Sequence, residues 1–139
     1  MKKILSVFIF ILLLAGCSSE LTFNEVEIAN TNNNVRTFFE SVEDTNGAHL
    51  YFDEDKVIYV MLNGKNVIEG ENAAYFTDFS VDSDGKILNI NYIEEKTKDY
   101  SHASLKQQVV YKIHKDKQYE TIRSFKNGNE LSFQTVSGN

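Results

Sequence analysis

The sequence predicts an α+β protein, a bent and mainly antiparallel meander sheet of about six or seven strands with one N-terminal helix; a small β-barrel or sandwich is the alternative. Three observations predict it. Val35, Phe38, Phe39 and Val42 recur at the spacing of one helix face. Beyond Gly47 the pattern changes to a period of two. Asn63-Gly64, Asp84-Gly85 and Asn127-Gly128 punctuate that alternation with residues suited to the positive φ of tight hairpin turns.

Taken in order, the chain opens on Met1-Lys2-Lys3, followed by an apolar run from 4 to 14 broken only by Ser6, then Ala15-Gly16 and the single cysteine, Cys17. A basic start, a short apolar stretch and a small-residue cleavage site make a secretory signal peptide. The run is shorter than the roughly 20 residues that cross a bilayer as a helix. Leu14-Ala15-Gly16-Cys17 resembles the lipobox of bacterial lipoproteins. The resemblance implies that Leu14, Ala15 and Gly16 are read by a signal peptidase that cuts before Cys17. It also implies that the Cys17 sulfur carries a diacylglyceryl group and that, in some bacteria, the new amino group carries a further acyl chain such as palmitate. Two acyl chains anchor stably where one is marginal. The domain plan is therefore a removed signal peptide (1–16), a lipidated N-terminus and tether (17–24) and one globular domain (25–139). Removing 16 of the 139 residues leaves 123, enough for a single domain, with no free thiol to form a disulfide.

Residues 18–34 are polar, with Phe23, Val26 and Ile28 expected to dock as an irregular or edge strand. The helix follows, with Asn33 or Asn34 as its cap, Arg36 and Glu40 one turn apart, and Asn46-Gly47 as its end. Strands are expected at 49–52, 57–62, 75–81, 87–93, 105–113, 119–125 and 131–135, neighbours in sequence pairing in space. Leu88, Ile90 and Tyr92 share one face, and Leu105, Val109, Tyr111 and Ile113 another, so one side of the sheet is apolar and one wet.

The mature chain carries 12 basic and 20 acidic side chains, a formal charge of −8. Residues 17–84 hold 14 acidic against 3 basic groups, residues 85–139 hold 6 against 9. This balance argues against nucleic acid, which needs a basic footprint. The two halves are expected to neutralise each other in the fold; otherwise the basic one is free to face anionic envelope polymers.

Few residues suggest chemistry. Residues 80–91 resemble an EF-hand loop around Asp82-Ser83-Asp84-Gly85, but Ser80 and Asn91 occupy the positions of its strongest ligands, so a hairpin turn is the better reading. Asp53-Glu54-Asp55 reads as a solvated turn. His49, His102 and His114 lack metal-ligand spacing, and there is no G-x-S-x-G elbow or glycine-rich phosphate loop. No metal, cofactor or enzymatic activity is expected. The longest polar connection, 94–104, presents Tyr100 and His102 and is the expected partner-binding loop. The sequence thus points to a binding or interaction module of the cell envelope, held on the exported side of the cell membrane by acylated Cys17, with an envelope protein or polymer as partner. If the source has two membranes, Ser18 fits sorting to the outer one. A small carrier of apolar ligands in a curled sheet is the alternative.

Overall fold

A computed structural model describes residues 20–99 and 105–138. Among these residues nine strands and one α-helix run in the order β1 (Thr22–Val26), α1 (Asn33–Ser41), β2 (Gly47–Glu54), β3 (Val57–Asn63), β4 (Ala73–Asp84), β5 (Ile87–Thr97), β6 (Gln108–His114), β7 (Thr121–Lys126), β8 (Asn129–Glu130) and β9 (Thr135–Gly138), with a 3-10 turn (Ile28–Asn30) before α1. The α+β class, the mainly antiparallel pairing and the N-terminal helix are as expected. The strands form two stacked sheets, β1-β6-β3-β2-β9 and β4-β5-β7-β8, which is the sandwich alternative without closure into a barrel. The pairs β2–β9 and β5–β7 are parallel.

Alternation explains the layers. Ala48, Leu50, Ile58, Val60, Leu62, Val109 and Ile113 of the first sheet meet Phe76, Phe79, Leu88, Ile90 and Tyr92 of the second in one buried core. The opposite parity of the first sheet, Tyr51, Tyr59, Met61 and Val110, packs against Val35 and Phe39 of α1 in a second core. The helix thus lies on the outer face of the first sheet. The unbroken run Val57 to Leu62 is the mark of a strand covered on both faces. In the second sheet Leu88, Ile90 and Tyr92 point inward, while Asn89, Asn91 and Ile93 keep contact with solvent.

Several boundaries differ from the sequence reading. The helix is capped by Asn32, whose Oδ1 accepts the Val35 amide at 3.0 Å; Asn33 and Asn34 lie inside its first turn. It ends at Val42, and Gly47, at φ +124°, opens β2. Arg36 donates to the carbonyls of Ala29 and Thr31, binding α1 to the 3-10 turn. β1 begins at Thr22, within the expected tether, as an edge strand on β6.

The meander is the larger correction. Hairpins join β2–β3, β4–β5 and β7–β8, but the chain changes sheet four times. Asn63-Gly64 starts such a crossing and not a hairpin: a Cβ on Gly64 would lie 2.7 Å from the Ala74 Cβ of the other sheet. Residues 105–107, expected as strand, also cross, with the Lys106 carbonyl accepting from Phe76 and that of Gln107 from Gly64. Residues 131–134 cross on the other side, Leu131 donating to Ser124 and Gln134 to Ala48, so the last strand starts at Thr135. Asn127-Gly128 is a primed turn with both φ values positive, 53° and 82°. At the β4–β5 turn Gly85 takes the first central position, ahead of Lys86, one residue later than the Asp84-Gly85 pair suggested.

Candidate functional site

Strand register divides the sandwich into two poles. The chain enters at Thr22, opposite His114, and the same pole carries the β2–β3 and β4–β5 turns and residues 115–120. The other pole carries residues 42–46, the 64–72 crossing and both ends of the 98–107 connection. β5, eleven residues long, separates the poles by roughly 35 Å at the usual rise of a strand.

Tyr100 and His102 lie outside the described residues, but both bases of their loop are fixed. On one side Thr97 pairs with Ala73, and its hydroxyl accepts the Asp99 amide. On the other, Lys106 accepts the Phe76 amide and pairs with Glu25 at 2.6 Å. Each base adjoins a surface concavity. One of about 410 Å³ is lined by Gly70, Glu71, Asn72 and Lys96. The other, about 230 Å³, is lined by Tyr75, Phe76, Thr77, Leu105, Lys106 and Tyr111. Burial, and next the Glu25 charge, raise the Tyr111 phenol above its ordinary pKa against the opposing pull of Lys106, so it is a neutral hydrogen-bonding group at physiological pH.

The same pole holds apolar residues the sequence reading passed over. In the 64–72 crossing Val67 is 37% and Ile68 69% exposed. They sit in a polar stretch without periodicity, so only their exposure distinguishes them. Their crossing is braced from below. Asn66 donates to the Glu43 carbonyl, and Asn46 and Asn66 bond to each other side chain to backbone and side chain to side chain. Asn63, almost wholly buried, donates to the carbonyls of Glu43 and Thr45. His49, fully buried, donates from Nε2 to the Thr45 carbonyl at 2.8 Å, which leaves Nδ1 a buried acceptor with no partner among the described residues. Burial pushes its pKa below the usual histidine value, outweighing the Thr45 bond. His114, by contrast, is exposed at the opposite pole.

The residues resembling an EF-hand loop are two strands. Asp82 accepts from the Asn89 and Asn91 side-chain amides at 2.9 and 2.8 Å across β4–β5. Among the described residues no three His, Cys, Asp or Glu side chains are grouped to hold a metal ion.

Comparison with known proteins decides the N-terminal segment. Residues 1–18 match the prokaryotic membrane lipoprotein lipid attachment site. The chain is a membrane-anchored lipoprotein. No curated protein and no solved structure is significantly similar to the remainder of the chain. The matched segment covers Leu14, Ala15, Gly16 and Cys17, all outside the described residues. Anchoring gives the poles of the lipoprotein a direction. From the attachment site only residues 18–21 precede β1, so the chain reaches at most about 15 Å before entering the sheet at its near pole. The 64–72 crossing and both described ends of the 98–107 connection occupy the far one. No described helix of the lipoprotein is long and apolar enough to cross a membrane.

Proposed function

We propose that this lipoprotein is a non-catalytic binding module of the cell envelope, held by acylated Cys17 on the exported side of the cell membrane and engaging an envelope protein or polymer through its far pole. Residues 94–97, expected as the start of a loop, extend β5 instead; the observation that carries the reading is the convergence, opposite the anchored end, of both bases of the 98–107 connection, the exposed Val67-Ile68 pair and two concavities. Tyr100 and His102 supply the polar contacts and Val67-Ile68 the apolar ones. Filling of the space between the sheets by packed side chains supports a surface site over a carrier of enclosed apolar ligands.

Two measurements test it. Cys17→Ser should abolish incorporation of a labelled fatty acid and leave uncut precursor or released protein; labelling that persists refutes the anchor. A photo-crosslinker placed at Tyr100 or Ile68 should capture the same envelope component, and one placed at His114 should not. Equal capture from both poles, or capture unaffected by Tyr100→Ala with His102→Ala, refutes the far-pole site.

A further inference from the structure

The two lateral seams of the sandwich, where an edge of one sheet lies over an edge of the other, are finished differently. On the β8/β9 side residues 131–134 run from one sheet to the other with a backbone hydrogen bond to each. On the β1/β4 side both strands are sheet edges. β4 pairs with β5 alone, and the backbone bond it gives on the other side is that of Phe76 to Lys106. A bulge at Thr77 follows. The seven residues from Asp78 to Asp84 have no strand on their outer edge among the described residues.

The two sides of that open edge have opposite chemistry. Toward the seam, Phe79 stacks on Tyr111 with ring centres 3.8 Å apart, and Phe23 of β1 meets Phe79 edge-on at 5.1 Å while remaining 39% exposed. Toward the outer face stand Asp78, Ser80, Asp82 and Asp84, all exposed. Among the described residues none of the three aspartates has a lysine or arginine at ion-pair distance. Lys106–Glu25 is the only ion pair among those residues that joins the acidic stretch of sequence to the basic one. The expected neutralisation of one half by the other does not reach this edge.

We propose that the Asp78–Asp84 edge of β4 is a second interaction surface, which accepts an extended peptide segment of alternating basic and apolar residues as an additional strand. Such a strand forms backbone hydrogen bonds to β4. Its side chains alternate between faces. One set enters the seam against Phe23 and Phe79, and the other lies beside Asp78, Asp82 and Asp84. A second copy of β4 does not suit this edge, because it would bring its own aspartates alongside. The surface is independent of the far-pole site and stands or falls separately.

The test uses the mature lipoprotein in nanodiscs and the labelled peptide acetyl-Lys-Val-Lys-Val-Lys-Val-Lys-amide, beside a peptide of the same composition with its three valines adjacent. Binding is read by fluorescence anisotropy at low salt, and backbone protection by hydrogen exchange. The alternating peptide should bind more tightly than its isomer and slow exchange in residues 78–84. D78N/D82N/D84N should weaken it about tenfold, since exposed charge pairs contribute modestly one by one. Equal binding of the two peptides, unaltered exchange in β4, or full affinity in the triple variant overturns the proposal and leaves the aspartates as charges that keep an open edge from pairing.

Discussion

Phe39→Ala tests the least expected feature of the fold, the helix as a third layer. Phe39 has no exposed surface; its ring lies 5.2 Å from that of Phe38, and it packs with Tyr51, Tyr59, Met61 and Val110 on the outer face of the first sheet. Truncating a buried phenylalanine costs about 3–5 kcal/mol, lost transfer energy and residual cavity together. A domain of about 120 residues has a total stability of roughly 6–18 kcal/mol, so the loss is a large fraction of it. With a urea dependence of about 2 kcal/mol per molar, the unfolding midpoint should fall by about 2 M, followed by circular dichroism on the mature lipoprotein in non-ionic detergent. Phe38→Ala is the internal control, because Phe38 is half-buried, and should cost about half as much. A loss below about 1 kcal/mol for Phe39, or equal losses at the two positions, would refute a helix packed flat on the sheet.

Three further outcomes follow from the geometry. His49 has a lowered pKa in the folded state, so its contribution is complete above the unfolded value of 6.5 and is lost as pH falls through the folded one. Stability should fall as the pH drops below 6.5, by up to about 1.4 kcal/mol per pH unit, and urea midpoints for His49→Gln should show a shallower slope; an unchanged slope contradicts the assignment. Gly64→Ala places a methyl against Ala74 and should cost about 1–3 kcal/mol, measurable as a lower melting temperature and relieved by Ala74→Gly. Asn32→Ala removes the cap of α1 and two contacts to Asp53; about 1 kcal/mol should be lost, with faster hydrogen exchange confined to the first turn of the helix.

What the sequence revealed was local. The spacing of Val35 and Phe39, the alternation of Leu88, Ile90 and Tyr92, and the Asn127-Gly128 turn each depend on neighbours within a few residues, and each is found in the structure. The division into two sheets was not legible, because it depends on β3 choosing β6 over β4, a partner about 50 residues away and so outside any local pattern. Asn63-Gly64 misled for a related reason. The glycine is required by the close approach of Ala74, a distant contact, and not by a turn. Leu131 and Phe133 alternate like a strand, yet residues 131–134 lace the two sheets together. Of the proposed far-pole site, a polar connection after β5 was expected from composition, but its start was not, because 94–97 continue the strand. Val67 and Ile68 were not, because nothing in the sequence says that two apolar residues will be left uncovered.

The pairing of β1 with β6 also bears on how the domain assembles. Thr22 and His114 are about 90 residues apart, and β6 is the strand that joins β1 to the rest of its sheet. A chain that emerges from its N-terminus presents β1 long before its partner, so the five-stranded sheet cannot be completed until β6 and β9 are available. Non-local pairing of this kind slows folding. The N-terminal strand therefore has no sheet partner until residues 108–114 are in place.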